Sequence, residues 1–404
     1  MNGIRVAHGP RMRTTRLLSS PLHFPLAILL SMITGLAACG GNNEATGGGG
    51  AAPTTGSGGS GGGPPSCPEG SHTGASGACE ATLSGWSDGP KLNDARDHHA
   101  SLVLTDPDGK TPFLYVLGGV QDDATILRSI ERAAINPDGT LGTFEKQTDL
   151  PEGMAGLAVA VIGSTVIISG GLRPAGSGVT LSAKSHVATM GKDGILSAWA
   201  AGPTMGKGRF HHSMIGYKGF VYAVGGLTGN AKDNTPSIER ATLNADGTLS
   251  PWTEVSALPA KRSHHGLAIH DGALFVTGGL SGDPAANPMT YDDVLRAPLN
   301  DDGSLGAWTT AGTLAITVAT HSSFAHVGQL YVAGGVEGNA TNTKHVKRAT
   351  IAADGTLGAW EALPDLPKAR AHVHQTPLYK GFIYSAGGAL NHASMDDVVV
   401  GKLE

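Results

Sequence analysis

Cysteine is scarce in this sequence: three residues in a chain of 404, and none after position 79. Cysteine-ligated zinc, iron–sulfur clusters and thiol nucleophiles are therefore excluded from the bulk of the chain. Charge is also low. Asp, Glu, Lys and Arg make up 15% of residues, and the formal net charge is −5. Such a chain has no field for a nucleic acid or an anionic membrane surface, and no nucleic-acid partner is expected. Aromatic residues are only 5%. Phosphate-binding P-loops, metalloprotease helices and paired catalytic carboxylates are missing. The apolar run from Pro25 to Ala38 falls short of the roughly 20 residues that a transmembrane helix needs.

That run follows Arg5, Arg11, Arg13 and Arg16 and ends in Leu36-Ala37-Ala38-Cys39. A basic segment, a short apolar segment and small residues describe an export signal. The four closing residues resemble the bacterial lipobox. The resemblance implies cleavage before Cys39, lipidation of Cys39 and anchoring in the cell envelope. Gly40, rather than an aspartate, follows the cysteine, which implies the outer membrane. Residues 40–66 are nearly all Gly, Ser, Thr, Pro and Ala. They cannot bury enough apolar surface to fold, and they read as a tether spanning roughly 25–30 Å as a random coil. The match of Gly58-Gly59-Ser60-Gly61-Gly62 to the nucleophile-elbow pattern lies inside this low-complexity stretch, lacks the strand-to-helix turn that the motif requires, and is a chance one. Cys67 and Cys79, in an exported chain, are expected to form a disulfide that closes a small loop over 67–80.

Glycine is abundant, with 61 residues. Its most regular use is a short β-type run ending in two glycines, as in Leu330-Tyr331-Val332-Ala333-Gly334-Gly335. Six such runs end at Gly119, Gly171, Gly226, Gly279, Gly335 and Gly388, spaced by 52 to 56 residues. A fixed period of this size means a repeat architecture. Each unit has an alternating run such as His264–His270, a tight turn, the run into the double glycine, a longer loop, and a third run such as Asp293–Leu299. An Asp-Gly turn then leads to a fourth run, Ser304–Trp308. These read as four antiparallel strands joined by hairpins. The fourth carries an aromatic at Trp86, Phe144, Trp199, Trp252, Trp308 and Trp360, which accounts for all five tryptophans. Such a residue is expected to pack between adjacent sheets. Trp86 precedes the first unit, and the last unit stops after a third strand. The N-terminal strand is therefore expected to complete the last sheet and close the ring, hiding two edges.

The double glycines, the later tryptophans and an Arg and His just before the first strand (Arg209-Phe210-His211-His212, Arg262-Ser263-His264-His265) resemble the kelch family of β-propellers, over residues 81–404. The resemblance implies an all-β, six-bladed propeller of four-stranded antiparallel blades. Galactose oxidase shares this propeller type, but its copper-radical chemistry needs a tyrosine–cysteine cross-link that residues 80–404 cannot supply. The exported sialic-acid mutarotases of this type would need an acid/base group near the channel. Asp94, Asp97 and Glu152 are the candidates.

Binding is expected on the face carrying the long loops after the second strands, around the central channel. The candidate ligand-binding set is Arg96, His99, Arg209, His212, Arg262, His265, His321, Arg370 and His374. Counting back from each double glycine puts His212, His265, His321 and His374 in one column, which His99 joins if the insertion in the first unit, Thr105 to Pro112, lies in the turn. The arginines are natural donors to a carboxylate or polyol, although the family pattern makes Arg and His there part of the fold. His372 and His374 share one side of a strand, but no carboxylate or cysteine recurs beside them, so neither metal nor cofactor is expected. The expected function is non-catalytic binding of a protein or glycan by a monomeric envelope protein. A sugar mutarotase or epimerase acting at the channel and a purely structural surface protein are the rival expectations.

Overall fold

A computed structural model describes residues 67–404, apart from 75–76, 230–232, 285–287 and 339–340. The signal, Cys39 and the tether lie outside the described residues. Among those described there is no helix; the fold is all-β and is that of a kelch-type β-propeller.

Six four-stranded antiparallel sheets form the blades. Blade 3 is typical: Ser213–Tyr217, Phe220–Val224, Ser237–Thr242 and Thr253–Ala257 pair in that order. The first strands of blades 1, 2, 4 and 5 are Ala100–Thr105, Ala158–Ile162, Gly266–His270 and Ser322–His326. Blade 6 takes Leu378–Tyr379, Phe382–Ala386 and Val398–Leu403 from the C-terminal end and Leu83–Asp88 from the N-terminal side. Trp86 lies opposite Gly401 in that pairing.

The blades are joined by apolar clusters, each shared by two neighbouring sheets. Trp199, Trp252, Trp308, Trp360 and Trp86 pack against the clusters joining their own blade to the one before, and Phe144 does the same between blades 6 and 1. Four indoles also donate across the seam. Trp252 bonds Ser185 Oγ, Trp308 bonds Ser256 Oγ, and Trp360 and Trp86 bond the carbonyls of Thr313 and Pro364. Most of these aromatics stand one residue before the fourth strand rather than inside it, since the strands begin at Glu145, Ala200, Thr253, Thr309 and Glu361. Buried tyrosines of second strands supply a second latch. Tyr115, Tyr222 and Tyr384 donate to the carbonyls of Gly194, Gly303 and Gly139 in the Asp-Gly turns of the next blade.

The double glycines are crowded points of the seam. In Gly225-Gly226 both φ angles are positive, at 58° and 106°. A Cβ on Gly225 would lie 2.5 Å from the Arg262 carbonyl of blade 4, and one on Gly226 would lie 2.7 Å from the His212 Cβ. Only glycine fits both demands. The Gly226 N–H donates to the Arg262 carbonyl at 2.9 Å. Every blade repeats this bond to the next, through Gly119 to Met154, Gly171 to Arg209, Gly279 to Val318, Gly335 to Arg370 and Gly388 to Arg96.

Where they are described, the long loops form short hairpins rather than irregular chain. Short pairs such as Val120–Gln121 with Thr125–Ile126 and Leu172–Ala175 with Gly178–Leu181 form a crown on one face. Neighbouring hairpins are tied by Ser394 to Val120, Asn234 to Gly282 and Asn342 to Asn391. The blade 1 insertion lies within the opposite turn, between Thr105 and Pro112. Cys67 and Cys79 are disulfide-bonded, and their loop lies against the Lys380-Gly381 turn on that same opposite face.

Candidate functional site

Positions just before the first strands build the centre of the molecule. His98, Gly156, His211, His264, Thr320 and His372 all have φ between 51° and 59°. Each N–H donates to the carbonyl of its counterpart in the preceding blade. The six bonds, from 2.7 to 3.2 Å, form a closed circuit around the axis, ending with His98 N–H on the His372 carbonyl. This left-handed conformation is uncommon for non-glycine residues, and histidine is among those that tolerate it best.

The side chains of this circuit fill the channel. His98 stacks on His372 with centroids 3.9 Å apart, and His211 stacks on His264 at 3.6 Å. Phe210 packs beside His211 at 3.8 Å, and its ring covers Gly156, the position where blade 2 has no side chain. His211 Nδ1 lies 3.0 Å from His374 Nε2. Burial, reinforced by the neighbouring histidines, pushes the pKa of His211, His264 and His372 well below the ordinary value. For His374 it falls to about 3. The rings are therefore neutral at pH 7. Asp97 Oδ1 bonds His98 Nδ1, and Ser394 Oγ donates to Asp97 Oδ2. The ligating atoms of His98, His211 and His372 lie within 4.8 Å of one another, a geometry that can hold a metal ion.

The candidate residues separate into groups. Arg96, Arg209, Arg262 and Arg370 do not present donors to a ligand; their side chains are 0–1% exposed and point into their own blades. Each Nη1 donates to the carbonyl of the first glycine of its own pair: Gly118, Gly225, Gly278 and Gly387. Each guanidinium also pairs with a carboxylate in or just before the third strand: Glu131, Glu239, Asp293 or Asp397. The expectation of a carboxylate or polyol site on these arginines is thus corrected, because the fold already uses their charge and closes off solvent. The four acids escaped the sequence reading, although a signal exists. In blades 2 and 5, which have Met154 and Val318 in place of the arginine, neither the third strand nor the residue just before it (Lys184, His345) is an acid.

His99, His212, His265 and His321 do form one column, but as wedges between blades rather than as a lining of the channel mouth. His212 Nε2 bonds Ser169 Oγ at 2.9 Å, and His321 Nε2 bonds Thr277 Oγ1 at 2.8 Å, each in the preceding blade. Their rings lie against the first glycines of those blades. His374 is not in this column. Val373 holds the equivalent place beside Gly388. The regular ladder of the blade 6 first strand covers only Leu378–Tyr379, because Pro377 has no N–H to continue it, and the count back from the double glycine slips by one. His374 instead lines a cavity of about 290 Å³ together with Ser213, Met214, Ser323, Gln375 and Thr376. This cavity lies at the turn-face end of the channel, whereas the sequence placed the site at the hairpin end, which the histidine rings fill.

Of the acid/base candidates, Asp94 bonds Ser129, Arg96 and Lys146. Burial raises its pKa, but these partners outweigh it and the net shift is downward. Glu152 pairs with Arg173 and Lys184 at the surface. No carboxylate lines the channel cavity.

No family model matches the chain. Among curated proteins it is similar to Kelch-like protein 38 of Mus musculus, 23% identical over 46% of this chain and 30% of that protein, and to Kelch-like protein 15 of Homo sapiens, 26% identical over 47% and 34%. A Kelch repeat and BTB domain-containing protein of Vaccinia virus is 27% identical over 31% of this chain and 20% of its own length. The chain spans about a third or less of the length of these relatives. Among solved structures, one described as the structure of YjhT matches with a TM-score of 0.60 at 12% identity, over 78% of this chain and 99% of that one. This likeness concerns the fold.

Proposed function

We propose that the chain is a lipid-anchored protein of the bacterial envelope whose propeller binds another protein, without catalysis, through the hairpin crown. One observation carries this reading. Among the described residues the exposed large apolar side chains are Met289, Ile316 and Ile195, and the first two lie on the hairpin face. Met289 is 65% exposed on the blade 4 hairpin, and Ile316, 39% exposed, packs beside Gly338 of the blade 5 hairpin. Exposed apolar residues on a rigid polar frame are the kind that anchor protein interfaces. The orientation supports the same reading. The Cys67–Cys79 loop, where the tether would attach, sits on the opposite face, so the crown would point away from the anchoring membrane. The likeness to kelch-repeat proteins favours an interaction module. The channel cavity holds no carboxylate for sugar chemistry.

The test is a photo-crosslinking residue placed at position 289 or, for comparison, at 195, in intact cells. A discrete protein adduct at 289, absent at 195 and lost with Ile316→Asp, is expected. Equal labelling at both positions would overturn the reading. A melting-temperature rise with sugar acids that disappears in His374→Gln would transfer the function to the channel.

A further inference from the structure

The histidines that fill the channel do more than occupy volume. A plug needs only apolar side chains, as Phe210 shows where it covers Gly156. Here four of the six circuit positions carry imidazole, and a fifth imidazole, His374, bonds to one of them. Burying polar rings is unfavourable unless each nitrogen finds a partner. His372 Nδ1 is buried and has none. His98 has the opposite arrangement. Asp97 engages its Nδ1, which fixes the proton there and leaves Nε2 with a free lone pair. Carboxylate-oriented imidazoles of this kind are the usual second layer of metal centres.

We propose that His98, His211 and His372 form a binding site for a transition-metal dication of the zinc type, oriented by Asp97 and held inside the backbone circuit. Imidazole suits zinc, nickel and copper ions, whereas magnesium and calcium require oxygen ligands. The three ligating atoms already lie within 4.8 Å of one another. Metal–nitrogen bonds of about 2.0–2.1 Å would draw them closer by roughly an ångström, which the stacked rings reach by tilting. Three histidines and one carboxylate leave a bound dication with net charge +1. The partly exposed His372 and His374 give it an approach route.

The test uses the untagged full chain, dialysed against Zn²⁺ and then against metal-free buffer, with metal content read by mass spectrometry. One retained zinc per chain is expected, with no response to Mg²⁺. Asparagine accepts positive φ, so His98→Asn, His211→Asn and His372→Asn preserve the circuit. Thr320 at the equivalent place shows that histidine is not required there. Each variant is expected to weaken zinc binding at least 10-fold, and Asp97→Asn to weaken it 10- to 100-fold. His345→Ala, which alters an exposed His345–Glu337 pair, is expected to leave binding unchanged. Absence of retained zinc in the wild type, or retention by all three asparagine variants, would overturn the proposal. Should a variant fold poorly, Cu²⁺ on the wild-type chain gives an independent reading by electron paramagnetic resonance. Coupling to three nitrogens is expected, and coupling to fewer than two refutes the site.

Discussion

At the residue scale, the four buried arginines organise their surroundings more than any other side chain. Each joins its own double glycine to an acid in or just before the third strand, while its backbone carbonyl receives the glycine N–H of the preceding blade. Arg209→Ala is expected to lose about 3–5 kcal/mol of stability by chemical denaturation, because Glu239 would remain buried without its cation. Binding by the crown should be unaffected in the fraction that stays folded. Arginine was visible in the sequence, but its direction was not. A residue beside a channel can face inward or outward, and only the matching acids one strand away decide it.

The wedge histidines make a pH prediction. Burial depresses the His321 pKa to about 3. The folded chain keeps this ring neutral, while the unfolded chain protonates it near 6.5. Stability from this residue is therefore fully present above pH 6.5 and is lost as pH falls toward 3. At pH 5 the loss is about 2 kcal/mol. Denaturation at pH 7 and pH 5 should show a penalty in the wild type, summed over all the buried histidines, that is smaller by about 2 kcal/mol in His321→Gln.

At the element scale, two kinds of glycine behave differently. Gly247, in an Asp-Gly turn, has φ of 83° and nothing within 4 Å of its missing Cβ. Gly226 has positive φ and a crowded seam as well. Gly247→Ala should cost about 1–2 kcal/mol, the conformational term alone. Gly226→Ala should cost clearly more, and comparison of their thermal unfolding checks the order. Strands, turns and double glycines were legible because they repeat, and six weak signals in phase make a strong one. The crown hairpins were not, since two-residue strands leave no periodicity to read. The slip at His374 had a visible cause in Pro377, but the count assumed an unbroken ladder. The tyrosine latches depend on contacts between blades, which a pattern within one repeat does not contain.

At the scale of the whole molecule, blade 6 draws its fourth strand from residues more than three hundred positions away. Removal of 81–90 would uncover the edge of Val398–Leu403 and the apolar cluster around Trp86. A large fall in melting temperature and self-association on gel filtration are expected; unchanged melting would show that the remaining strands suffice. The same pairing sets an order of events in time. Leu83–Asp88 is made more than three hundred residues before its partner strand, Val398–Leu403. If the chain is exported as the signal suggests, Leu83–Asp88 must wait, unpaired, until the translocation machinery releases Val398–Leu403. Every chain truncated or stalled before Val398 would then carry an open sheet edge that quality-control proteases can recognise.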